Sequence, residues 1–373
     1  MPEKNSGLEG VVIGESRISS IIGTQLTYAG YEIDDLAENA QFEEVIYLLW
    51  NDRLPNEEEL AKFKDDLYEY MYISQDKEEV FKQFAQNGDH PMASLRTAVS
   101  YLGIFDEEAD TLTEEANWNK ALRIQGAMPA LVANFERFRN GLETIKPKRE
   151  YSFAKNFLYM LYGEEPTDIQ VEAMEKALIL HADHEINAST FTARVCVATL
   201  SDLYSGTVAA IGALKGPLHG GANEQVMNML SEIGSLDNVD EYINRKIENK
   251  EKIMGIGHRV YKEGDPRAKY LKDMSRKLTE ENGQPELYEM SVRIAELVEK
   301  EKGLLPNVDF FSASVYHSMG IPHDLFTPIF AVSRASGWIA HMLEQYENNR
   351  LIRPRAEYAG YTNRKYEPIE NRK

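Results

Sequence analysis

Apolar positions along this chain recur mainly at helical spacing. Phe42, Val45, Ile46 and Leu49 share one face, and the pattern stops before Pro55. Asn56 followed by Glu59 reads as a capping box. It opens a helix with Leu60, Phe63, Leu67 and Met71 on one side. Thr167 and Gln170 repeat that device ahead of a run through Leu180. Further helical stretches are predicted over about 221–233, 285–302, 309–319 and 327–347. Strand character is confined to the first 35 residues, where 10–14 (Gly-Val-Val-Ile-Gly) and 18–22 (Ile-Ser-Ser-Ile-Ile) flank a polar turn. No internal repeat or low-complexity tract interrupts this order. The pattern predicts a mainly α fold with a minor N-terminal β element.

One stretch departs from ordinary amphipathic helices. Residues 187–214 are crowded with Ala, Ser, Thr and Gly and nearly lack charge. Small residues on all sides permit close helix–helix approach, so a buried central helix pair is expected, although a subunit interface would read the same way. Cys196 lies in this stretch and is the single cysteine, which excludes an intrachain disulfide. Its apolar neighbours point to a buried structural thiol.

Composition narrows the picture. Hydrophobic residues make up 43% of the 373 and charged residues 27%, as in a folded globular protein. No run approaches the roughly 18 uncharged apolar residues of a spanning helix. The opening Met-Pro-Glu-Lys-Asn-Ser lacks the basic and apolar regions of a signal peptide. A cytoplasmic protein is therefore expected. The net charge of −20 argues against nucleic acid, whose backbone would repel such a surface. An acidic protein that binds anions must concentrate its arginines locally.

Among the eight histidines, two stand in glycine-rich loops. His219 lies in Gly216-Pro217-Leu218-His219-Gly220-Gly221, just before a predicted helix. His258 follows the Gly255-Ile256-Gly257 turn. Glycine lets backbone approach a ligand closely, and the amides of a helix N-terminus favour an anion or a neutral imidazole. Neither loop matches a nucleotide motif: position 260 is Val where a third glycine is needed, and the 212–221 glycines lack Gly-Lys-Ser/Thr. His181 and His184 fall at i and i+3 on one predicted helix face, a spacing that can bind metal. No third ligand lies at a suitable offset, so neither metal nor cofactor is expected. Asp309 stands at a loop-to-helix junction beside Phe310 and Phe311. It reads either as a plain N-cap or as a partly desolvated base. Arg267, Arg334 and Arg353 complete the set. Arg334, inside apolar Phe330-Ala331-Val332-Ser333, must be paired, by a substrate carboxylate or by a buried structural acid.

In this order, Gly-Pro-Leu-His-Gly-Gly-Ala-Asn at 216–223, Gly-x-Gly-His-Arg-Val-Tyr at 255–261, Asp-Pro-Arg at 265–267, Pro-Asn-Val-Asp at 306–309 and Val-Ser-Arg at 332–334 resemble the citrate synthase family. Gly7-Leu8-Glu9-Gly10-Val11 and Tyr31-Glu32-Ile33-Asp34-Asp35-Leu36 resemble its short-chain bacterial and archaeal branch. The resemblance implies a two-domain helical homodimer. The large domain would comprise 1–219 and 321–373, and the small domain, 220–320, would close over the site. It also implies condensation of acetyl-CoA with oxaloacetate, followed by hydrolysis of citryl-CoA, with propionyl-CoA and 2-methylcitrate as the alternative. Asp309 would be the carbon base, His219 the enolate stabiliser and His258 the ketone acid. His184, Arg267 and Arg334 would bind oxaloacetate, with Arg353 reaching in from the second subunit. Ile253, Gly255, Gly257 and Lys262, and more weakly Asn307, match the CoA-binding segment, and Arg355 is a candidate for a CoA phosphate. The long N-terminal extension of the NADH-regulated hexameric branch has no counterpart here, so a dimer without that control is expected.

Overall fold

The computed structural model describes residues 7–8, 10–87 and 90–372. Residues 1–6, the opening Met-Pro-Glu-Lys-Asn-Ser, and Glu9 of the N-terminal motif lie outside the described residues.

The β element is a three-stranded antiparallel meander: β1 (Ser19–Ile22), β2 (Gln25–Tyr28) and β3 (Tyr31–Glu32). Gly23, Ala29 and Gly30 turn it with positive φ angles of 64°, 44° and 83°. The run at 18–22 thus contains a strand, but 10–14 does not. Its apolar character finds no partner strand among the described residues, and Val12 is 87% exposed. A strand needs a neighbour to receive its ladder of hydrogen bonds.

Helices follow. The first eight are α1 (Ile33–Asn39), α2 (Phe42–Asn51), α3 (Glu57–Glu69), α4 (Gln75–Gln86), α5 (Pro91–Ile104), α6 (Glu114–Arg139), α7 (Phe153–Tyr162) and α8 (Asp168–His181). Then come α9 (Ala188–Val197), α10 (Leu203–Leu214), α11 (Ala222–Ile233) and α12 (Val239–Glu248). The last four are α13 (Ala268–Glu281), α14 (Pro285–Lys302), α15 (Val308–Ser318) and α16 (Phe326–Glu347). Both predicted capping boxes form, Asn56 with Glu59 and Thr167 with Gln170. Among the described residues, no helix is long and apolar enough to cross a membrane.

Helix α16 is buried on all sides from Phe326 to Met342, so it cannot face solvent and becomes the hub. Helices α2, α6, α8, α9 and α10 pack around it. A second group, α11, α13 and α14, gathers on α15. The groups meet where α8 touches α13 and α15 and where α11 touches α16. Helices α9 and α10 do pack together, but each keeps a half-exposed side that includes Val195, Val208 and Ala209. Cys196 is correspondingly half-buried rather than enclosed, and the desolvation it does experience raises its thiol pKa. The buried face of α9 holds Arg194, which pairs with Glu344 of α16 at 2.6 Å.

The loop after α8 lies tight against α16 because Gly337 has no side chain. A Cβ there would stand 2.4 Å from the Ala182 carbonyl oxygen and 2.4 Å from Asp183 Oδ1. Backbone cannot step aside cheaply. Gly337→Ala is therefore expected to destabilise the protein by about 1–3 kcal/mol, seen as a lower denaturation midpoint. An unchanged midpoint would contradict this packing.

Candidate active site

Four connections bring chemistry to the seam between the helix groups: the loop after α8, the turn between α10 and α11, the irregular segment between α12 and α13, and the start of α15. The first carries His184. Helix α8 ends at His181, so the two histidines do not share a helix face. Beyond it Glu185 adopts φ 50°, while His181 stays buried with Nδ1 on the Ala177 carbonyl at 2.7 Å. His184 Nε2 lies 3.1 Å from the Tyr261 hydroxyl.

His219 is oriented by α9. The Ser189 backbone N–H donates to its Nε2 at 3.2 Å, and the Ser189 hydroxyl lies 2.8 Å away. A nitrogen that accepts an N–H cannot itself carry a proton, so the imidazole proton sits on Nδ1. Burial, and then the charge of Arg334, lowers the His219 pKa to about 4. The ring is therefore neutral and offers Nδ1–H as a donor. The turn holding it is compact: a Cβ on Gly220 would fall 2.2 Å from the Leu214 carbonyl oxygen.

His258 has the opposite tautomer. Its Nδ1 accepts the N–H groups of Val260 at 3.1 Å and Tyr261 at 3.3 Å, which leaves the proton on Nε2. Its pKa is likewise lowered to about 4, by burial and then by Arg267. The His258 ring lies 4.7 Å from that of Tyr261 and 5.1 Å from that of His184, centroid to centroid.

The segment around His258 is stitched to the start of α15. Gly257 N–H donates to the Leu305 carbonyl at 2.8 Å, and Asn307 N–H donates to that of Gly255 at 2.9 Å. Asn307 Nδ2 donates to the Gly257 carbonyl at 2.9 Å, while its Oδ1 caps Asp309 N–H. Asn307, not Asp309, is thus the N-cap of α15. Released from capping, Asp309 keeps a solvent-shielded Oδ1 with no hydrogen-bond donor among the described residues. Desolvation raises its pKa to about 6, more than the Arg267 and Arg334 charges lower it.

The two inner arginines differ. Arg267, 3% exposed, makes a bidentate pair with Asp265, through Nε at 2.9 Å and Nη2 at 2.8 Å. Asp265 also accepts Val308 N–H at 3.0 Å, joining the arginine to the α15 start. Arg334, 2% exposed, donates Nε to the His181 carbonyl at 2.7 Å and has no carboxylate at ion-pair distance among the described residues. Its pKa falls to about 10 through burial. Of the two partners the sequence leaves open, the structural acid is not found among the described residues, which leaves the charge open to an anion.

Not every sequence candidate gathers here. Arg353 is exposed on the extended segment after α16 and makes no hydrogen bond or ion pair among the described residues. Arg355 is exposed on the same segment. Ile253 is buried at 6%, and Gly255 serves packing: at φ 72°, its Cβ would meet Val226 Cγ2 at 2.6 Å and the Phe310 Cα at 2.9 Å. Gly257 and Lys262 remain accessible. Ser189, Tyr261 and Asp265 support the site without having been singled out by the sequence. Only the place of the last two inside the His258 and Arg267 motifs could have flagged them.

The family model described as "Citrate synthase, C-terminal domain" matches residues 7–355. Citrate synthase 2 of Bacillus subtilis is 64% identical over 366 residues, spanning 98% of each chain. A 2-methylcitrate synthase of Shewanella oneidensis is 43% identical, again over 98% of each chain. A solved citrate synthase from Thermoplasma acidophilum, in ternary complex with carboxymethyl coenzyme A and oxaloacetate, superposes with a TM-score of 0.92 at 38% identity, covering 98% of both chains. With matches that run almost end to end, the chain belongs to the citrate synthase family.

Proposed function

We propose that this acyltransferase condenses acetyl-CoA with oxaloacetate and hydrolyses the resulting citryl-CoA to citrate and CoA. What supports this above all is one compartment that combines a buried Arg334 with no carboxylate at ion-pair distance among the described residues, neutral His219 and His258 of opposite tautomer, and a raised Asp309 carboxyl.

Each group has one task. Asp309 takes a proton from the acetyl methyl carbon, while His219 Nδ1–H donates to the thioester oxygen as negative charge develops there. The enolate carbon attacks the oxaloacetate ketone carbon, and His258 Nε2–H meets the oxygen that becomes the hydroxyl. Water then cleaves the thioester of citryl-CoA, releasing CoA as the thiol. Arg267, Arg334 and His184 hold the two substrate carboxylates and orient the ketone. Gly257 and Lys262, on the open side of the segment before α13, line the approach for CoA, with Asn307 and Gly255 setting that segment's shape.

The working form is a cytoplasmic homodimer in which Arg353 enters the partner's site. An exposed arginine with no hydrogen bond or ion pair among the described residues, on an extended segment, suits that reach. The half-exposed small-residue sides of α9 and α10 suit a subunit contact. Residues 220–320 act as the smaller closing unit against 1–219 and 321–373, excluding water during enolisation.

Acetyl-CoA with oxaloacetate is expected to release free thiol. Propionyl-CoA should be poorer in kcat/KM by about tenfold or more, since one methylene is worth about 1–3 kcal/mol in an acyl pocket. No release with either thioester would overturn the reading, and a preference for propionyl-CoA would move it to 2-methylcitrate synthesis. Asp309→Asn should fold and bind oxaloacetate but lose about 10²–10⁴ in kcat. Near-normal turnover would remove Asp309 as the base. Because Asp309 must be ionised to accept a proton and its pKa is raised to about 6, kcat/KM for acetyl-CoA should fall as pH drops below about 6. The slope should approach about tenfold per pH unit. His219 and His258 stay neutral down to about 4, so they add no limb in that window. A flat profile from pH 7 to about 5 would contradict this assignment.

A further inference from the structure

We infer that Asp183, held by His341, is a positioning residue that aims His184 and keeps the Arg334 fork free for a substrate carboxylate. The inference rests on the reading of the site proposed above.

Asp183 is fully buried, yet no lysine or arginine lies at ion-pair distance among the described residues. Three donors converge on its Oδ2: the Ser19 hydroxyl of β1, the Glu185 backbone N–H at 3.2 Å and His341 Nε2 at 3.2 Å. The tautomer of His341 follows from its other side. Arg194 Nη1, which can only donate, sits 3.3 Å from Nδ1, so the imidazole proton is on Nε2 and points at Asp183. The remaining oxygen, Oδ1, lies over Gly337 with no donor among the described residues. A buried anion so arranged is costly unless a nearby charge compensates it.

Arg334 supplies that charge from a distance. It too is buried and lacks a carboxylate, and its only hydrogen bond among the described residues runs from Nε to the carbonyl of His181. The two opposite charges therefore stabilise each other without contact. A direct salt bridge would occupy the terminal nitrogens of Arg334. Held off, the acid keeps the guanidinium ionised while Nη1 and Nη2 stay uncommitted. The Coulombic contribution of Asp183 favours charged Arg334, consistent with this geometry.

The same carboxylate fixes the backbone on either side of His184. Its bond to Glu185 N–H closes a turn in which Glu185 takes φ 50°, a conformation uncommon for a side-chain-bearing residue. Ser19 reinforces the turn by accepting the same N–H at 3.0 Å. Tyr28 brackets Asp183 from the sheet, its hydroxyl 3.0 Å from the Asp183 carbonyl oxygen and 3.3 Å from its amide nitrogen. His184 is thus flanked by two pinned residues, so its backbone is placed from α16 and the meander rather than from α8, and from there its ring meets the Tyr261 hydroxyl.

The test is steady-state kinetics and oxaloacetate calorimetry on full-length Asp183→Asn, Ser19→Ala, His341→Leu and His341→Gln. Asp183→Asn keeps the size, removes the charge and faces the three donors with an amide. It is expected to raise KM and Kd for oxaloacetate about tenfold or more, with a much smaller change in kcat. Ser19→Ala, at the sheet edge, should shift both in the same direction by less. His341→Leu should weaken oxaloacetate binding, and His341→Gln, which retains a donor, should restore most of it. Unchanged KM and Kd in Asp183→Asn and Ser19→Ala, with only a lower melting midpoint, would overturn the inference and leave Asp183 a purely structural group. If Asp183→Asn fails to fold, Ser19→Ala and the His341 pair decide the question by the same criteria. Wild-type protein that binds oxaloacetate but releases no CoA would instead overturn the functional reading, and the calorimetric comparison would still judge Asp183.

Discussion

A guanidinium without a matching carboxylate, buried in the central helix of an acidic protein, is the constraint around which the site is built. Arg334 lies on α16, a helix enclosed on every side, so it is shielded from solvent, and among the described residues it makes no salt bridge. Its field, with that of Arg267, extends over His184, His219, His258 and Asp309. Positive charge and desolvation act together on the imidazoles, and both favour the neutral form. On Asp309 they oppose one another, and desolvation prevails. The result is a set of neutral donors beside a carboxyl whose pKa is raised to about 6.

Backbone amides then decide which way each imidazole works. Ser189 N–H claims Nε2 of His219, whereas Val260 and Tyr261 N–H groups claim Nδ1 of His258. The two histidines therefore present protons from opposite ring positions. All three amides belong to segments held by tertiary contacts: Ser189 in the first turn of a helix packed on α16, and Val260 and Tyr261 in the 255–261 segment through its bonds to 305–307. Preorganisation of this kind lets a donor meet developing charge without first having to turn.

Legibility followed the range of the interactions. Capping boxes at Asn56 and Thr167 were readable because donor and acceptor lie three residues apart. The long helices were readable because an apolar stripe must face a core wherever that core lies. The run at 10–14 misled because strand propensity is meaningful only with a partner, and none of the described chain pairs with it. The His181–His184 pairing failed for a related reason. Three donors, two of them from β1 and α16, capture Asp183 and accompany the end of the helix between the two histidines. Likewise, the cap of α15 went to Asn307 because its amide could also bind Gly257, 50 residues away.

The sequence by itself determined the helical class, most helix positions, the two histidine loops, Asp309 and the inner arginines, and the order of motifs that marks the family. These depend on local periodicity, turn chemistry and residue identity, all written along the chain. Only the tertiary structure decided that Arg334 meets no acid among the described residues, that Asp309 is a shielded carboxyl rather than a cap, and that His219 and His258 carry their protons on different nitrogens. It also separated Gly255 and Asn307, which shape a loop, from Gly257 and Lys262, which face the open side. Desolvation and hydrogen-bond direction depend on which groups meet across the fold, and no local pattern records that.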